Sequence, residues 1–199
     1  MNWLRTSPTE EFISSLEFAA KCSETVTSDA ASWRWLVLSL HLAAQGALVC
    51  ALKGHDTSGV SALSGPSAKQ TQRWIEERIG PAPNQQLASF RELLSRARTE
   101  AILPYPHTVS LGTDVINDVL RLTEVRNQFA HLAVDGWSLD LSGLPRMVLH
   151  TVDLIEHLAI VAPTFDHWYE AGAVERIASA IKHIRHSLHI VSTPAEASV

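Results

Sequence analysis

The chain has 199 residues, 46% of them hydrophobic, and a net charge of −5 with an isoelectric point near 6.0. That is enough apolar material for one sizeable core, while the acidic balance excludes the global positive field that draws nucleic acid to a surface, so any anion site must be local. The two cysteines, Cys22 and Cys50, fit neither zinc nor redox spacing, which points to a reduced, cytoplasmic chain, and with no Walker-type loop or HExxH string no metal and no cofactor are expected.

Helical periodicity recurs along the chain and strand alternation does not. Met1 to Arg5 opens no secretory pattern. Thr9 precedes Phe12, Leu16, Ala19 and Ala20 at helical spacing, with Glu10 and Glu11 in the first turn, where the helix dipole favours acids. Ser28 or Asp29 is then expected to cap a long apolar helix ended by Gly54. Its segment from Trp35 to Leu52 has about the minimum length for crossing a bilayer. Ser39, His41, Gln45 and Gly46 interrupt it, however, and a buried bundle helix is the expectation, with no membrane partner.

Residues 53–66 are rich in Gly, Ser and Asp and read as a long loop without a core pattern. A short helix is expected over 67–79 with Trp74 and Ile75 inward, then a break at Pro81 and Pro83, then a helix over 85–98 through Leu87, Phe90 and Leu94. Pro104 and Pro106 force a turn. From Thr113 or Ser110 a helix runs to about Leu132, its core face made of Val115, Val119, Leu122, Val125, Phe129 and Ala133. Gly136 and residues 137–141 form a connector. Two more helices follow, from Leu144 to about Ala162 and from about Thr164 to Ile190, the second interrupted near Gly172. The expected organisation is one all-α domain over 1–191, a bundle of about five to seven helices, with a disordered tail over 192–199.

The helix starting at Thr113 carries Arg126-Asn127-Gln128-Phe129-Ala130-His131. At about 100° per residue, Glu124, Asn127 and His131 fall within about 60° of one another, while Arg126 sits roughly 140° round from His131. Arg126 meets that imidazole only through its long side chain, a local bend, or a second chain with its own copy. Ile116 and Leu120 lie on an outer stripe that continues into Asn127 and His131. Apolar side chains there are expected to face water in a monomer and to be covered in a dimer.

The R-N-x-x-x-H string in a helical chain resembles the signature of the HEPN superfamily, and Trp33-Arg34-Trp35 with His41-Leu42-Ala43-Ala44-Gln45-Gly46 is similar to a stretch of bacterial HEPN proteins of unassigned function. The resemblance implies a helical bundle that forms a two-fold dimer with its R-x-x-x-x-H helices facing across a cleft. It also implies RNA cleavage without metal, as a toxin beside a cognate antitoxin or as a defence effector.

The residue types suit that chemistry. His131 titrates in the range a base or acid needs, and two copies across a dimer can divide those roles. Arg126 suits a bidentate phosphate contact, Asn127 can orient His131 or bond the phosphate, and Glu124 can fix a tautomer or pair with Arg126. His41 and Gln45, one turn apart, either line the same cleft or form a satisfied buried pair. His183, His186 and His189 read as a cationic last turn rather than a metal site. Two other readings stay open: a catalytically silent HEPN dimer that binds RNA, a nucleotide or a partner protein, and a helical scaffold whose motif match is accidental.

Overall fold

A helix with almost no charge along its length cannot rest on a protein surface, and Ser32–His55 settles at the centre of the bundle for that reason. The computed structural model describes residues 6–56, 58–130, 138–164 and 170–192, with side chains to residue 189. Its helices in chain order are α1 Pro8–Ser23, α2 Ser32–His55, α3 Gly65–Glu77, α4 Phe90–Ala97, α5 Thr113–Ala130, α6 Leu144–Glu156 and α7 Ala173–Ser192. Among the described residues there is no strand, only an isolated bridge between Leu63 and Leu87, so the protein is an all-α helical bundle.

Helix α2 touches α1, α4, α5 and α6. Leu36, Leu40, Leu48 and Leu52 are fully buried, so this stretch, apolar enough for a membrane, is mostly enclosed by the chain's own helices. Close approach to α1 depends on Gly46. A Cβ at that position would lie 2.9 Å from the Cβ of Phe12 and 3.1 Å from its Cα.

Helix α1 starts at Pro8, and Ser7 caps it, its hydroxyl accepting from the Glu10 N–H at 3.1 Å. Helix α2 has no side-chain cap of its own. Asp29 instead accepts from the Ala31 N–H at 2.9 Å and the Ser32 hydroxyl at 3.3 Å, and the helix continues past Gly54 to His55.

The segment expected to be a featureless loop over 53–66 is pinned. Its ends are helical, 53–55 closing α2 and 65–66 opening α3, and among the described residues between them a 3₁₀ turn forms at Val60–Ala62, with Ala62 and Leu63 buried. Arg96 donates from Nη1 to the carbonyls of Ser61 and Leu63, each at 2.7 Å. Next to it, residues 86–88 run extended, with the Ala88 N–H bonding the Ala62 carbonyl at 3.0 Å and the Ser64 N–H the Gln86 carbonyl at 2.8 Å. This pairing displaces the helix start expected at Gln85. Helix α4 begins only at Phe90, and Leu87, expected in its core face, is 46% exposed. In α3 the buried residues are Ser67 and Thr71, while Trp74 and Ile75 are half-buried.

Helix α5 buries a wider arc than one stripe because it packs on both α2 and α6. Val119, Leu122 and Val125 are buried as expected, while Phe129 packs half-buried on the core and Val115 is half-buried; Ala133 lies outside the described residues. The outer stripe is a correction: Ile116 is 4% exposed within the single chain, and Leu120 is half-buried against the core. A second face of α5 that touches its own chain removes the argument for a dimer from these two side chains.

Helix α6 continues into a π-helical turn, His157–Val161, as far as the expected end near Ala162. The last helix, expected from about Thr164, begins at Ala173 after Gly172, which has a φ of 83°. Arg185 ties it to α6 through Asp153 at 2.7 Å and Glu156 at 2.6 Å, and Arg176 ties it to α1 through both carboxylate oxygens of Glu17 at 2.8 Å. The expected tail, from residue 193 on, and the connector over 131–137 lie outside the described residues.

Gly46→Ala is expected to destabilise the protein by about 1–3 kcal/mol, because the added methyl meets α1 backbone rather than a flexible tip. Gly65→Ala, with nothing within 4 Å of the added carbon, should stay within about 0.5 kcal/mol of the parent. Urea denaturation of both variants checks the pair; equal midpoints would show that α1 yields at the contact.

Candidate functional site

A cleft of about 480 Å³ opens where α2, the start of α4 and α5 meet. Helix α5 contributes Thr123, Glu124, Arg126 and Asn127, and α2 contributes His41 and Gln45. The chain's route into α4 supplies Ser89, Phe90 and Arg91.

The cleft therefore brings together Glu124, Arg126 and Asn127 with His41 and Gln45. Arg126 was expected to lie apart from Glu124 and Asn127, since its position on the helix wheel points away from them. Its side chain reaches across instead, donating from Nη1 to Asn127 Oδ1 at 2.9 Å, and the cleft spans nearly half of the α5 circumference. Leu120 contributes the apolar part of this wall. His131, the remaining residue of the motif, lies outside the described residues.

His41 is 3% exposed, and neither ring nitrogen has a hydrogen-bond partner among the described residues. Of its two expected environments, a satisfied buried pair is not what forms. The imidazole packs on Phe90, ring centroids 4.6 Å apart at an angle of 35°. Burial first, and then the Arg126 guanidinium, hold its pKa down from 6.5 to about 4. It is a neutral donor and acceptor at physiological pH.

Two features were not predicted from the sequence. Ser89 and Arg91 reach the cleft because α4 starts late, at Phe90, with the Ser89 hydroxyl accepting from the Glu92 N–H at 3.3 Å. Asp118, 4% exposed, accepts from Arg146 Nε at 2.7 Å and Nη2 at 3.3 Å, and lies 2.9 Å from His150 Nδ1. Arg146, a cation close to the motif in sequence, is thereby committed to joining α6 to α5. An acid amid the core spacing of Ile116, Val119 and Leu122 was the one available signal, since a buried carboxylate demands a partner.

A larger cleft, about 540 Å³, lies between α1 and α7. Two of its ionic contacts are internal: Arg176 pairs with Glu17, and His183 Nε2 sits 2.9 Å from Glu24. Among the described residues, no group of three or more His, Cys, Asp or Glu side chains is placed to hold a metal ion. Cys50 is buried, which pushes its thiol up to about 11, and neither cysteine is paired. Compared with protein-family models, with curated proteins and with solved structures, the chain matches none.

The His41 ring should titrate near pH 4 by proton NMR, and Arg126→Ala should raise the midpoint without restoring 6.5, because burial remains. Its folded pKa lies below its unfolded one. Between pH 6.5 and about 4 the unfolded chain therefore takes a proton that the folded chain refuses, and stability falls as the pH drops through that window. A shift of this size is worth on the order of 3 kcal/mol. A midpoint near 6.5 would mean that the ring is open to water.

Proposed function

We propose that this chain is a metal-independent endoribonuclease of HEPN type, working as a homodimer in the cytoplasm. The observation that carries the reading is that the R-N-x-x-x-H helix opens its Arg126, Asn127 and Glu124 into a cleft shared with a second helix bearing unbonded His41. In the proposed reaction a base takes the proton of an RNA 2′-hydroxyl, and that oxygen attacks the adjacent phosphorus. The bond to the 5′-oxygen breaks, an acid protonates the departing oxygen, and a 2′,3′-cyclic phosphate remains.

His131 from each of two chains supplies the base and the acid. Arg126 offsets the charge gathering on the phosphorane, with Asn127 holding the guanidinium at 2.9 Å. Glu124 orients the imidazole or balances Arg126. A cognate antitoxin protein that covers the cleft fits a toxin with this activity.

Charge favours a second reading. Arg146 is withdrawn to Asp118, so the cleft's cations are Arg126 and Arg91, opposed by Glu124. Such a cleft suits a catalytically silent dimer that binds RNA, a nucleotide or a partner protein.

The purified protein is expected to cut single-stranded RNA in EDTA. Arg126→Ala and His131→Ala should each lower the rate by a factor of about 10² to 10³ with little change in thermal midpoint. Light scattering at micromolar concentration should give twice the mass of one chain. Intact RNA with a normal dimer would replace the nuclease by the binding reading, and a strict monomer would remove the two-chain acid and base.

A further inference from the structure

The lining of the cleft carries two kinds of chemistry. One is cationic: Arg91 at the start of α4 and Arg126 on α5. The other is neutral and polar. His41 and Gln45 stand one turn apart on α2 and both line the cleft. Phe90 joins the two. It packs on the His41 ring and lies between Ser89 and Arg91 in the chain.

An imidazole 97% removed from solvent with both nitrogens unbonded leaves hydrogen bonds unmade, and such a group gains most when a ligand supplies them. A cation pair beside a neutral donor and acceptor edge matches a phosphate attached to a planar, uncharged, hydrogen-bonding ring. We propose that the cleft between α2, α4 and α5 takes one nucleotide unit, its phosphate between Arg91 and Arg126 and the edge of its base on His41 and Gln45. His41 is thus a specificity residue for the base. The inference rests on the reading of this cleft as an RNA site, yet it concerns recognition and holds without cleavage. The imidazole bonds the base as a neutral ring, since burial and then the Arg126 guanidinium oppose a positive charge on it, while Arg91 and Glu124 also line the cleft.

Calorimetric titration of the full chain with uridine 3′-monophosphate and, separately, with ribose 5-phosphate tests this. His41→Leu is expected to weaken uridine monophosphate binding about tenfold and to leave ribose phosphate binding unchanged. His41→Gln, which keeps a donor and an acceptor, should recover most of the loss, and Arg91→Ala should weaken both ligands. Circular dichroism confirms that each variant is folded. No binding of uridine monophosphate to the parent chain overturns the proposal, as does equal weakening of both ligands by His41→Leu. RNA left uncut while the His41 dependence persists sinks the nuclease and spares the base site. RNA cutting with no His41 dependence does the reverse.

Discussion

The burial demanded by α2 governs the rest of the structure. Twenty-four residues with charge only near their ends need neighbours on most sides, and α1, α4, α5 and α6 supply them, leaving Trp35 and Leu42 exposed. Such a helix leaves little room for polar atoms, and each one it carries must be satisfied or useful. Ser39 meets that demand locally, its hydroxyl donating to the Trp35 carbonyl at 2.6 Å. His41 does not: its ring nitrogens are unbonded among the described residues, and the residue lines the cleft between α2, α4 and α5.

Arginines elsewhere serve the architecture. Arg96 gathers the segment after α2, Arg146 neutralises Asp118, Arg176 joins α7 to α1, and Arg185 joins α7 to α6. Each meets a carboxylate or a pair of carbonyls in a forked geometry that a lysine would not reproduce. A net charge of −5 therefore hides an unequal distribution, in which Arg91 and Arg126 stay with the cleft.

Helix type and order were legible because periodicity over long segments is a strong signal; α2, α5 and α6 follow their apolar spacing closely. Boundaries were less so where backbone pairing outcompeted local preference. Nothing in Gln85 to Ala88 announces that these residues will bond to 62–64 rather than open α4, since that partner lies about twenty residues away in the chain. Ile116 illustrates a second limit: a helix wheel assumes one buried face, whereas α5 has two neighbours. Of the site, the residues on one helix were readable from spacing, and so was the presence of His41 and Gln45 on another. Arg91 was not, because its place depends on where α4 begins.

The fork that Arg96 makes with the carbonyls of Ser61 and Leu63, and with Glu92, bears on the frame of the cleft. It fastens the chain leaving α2 to the body of α4, so the two helices are joined by packing and by a second, polar strut. One wall of the cleft is consequently set by folding itself. The entropy lost in shaping that wall is spent during folding rather than at association, and a ligand that fits has correspondingly less ordering to impose.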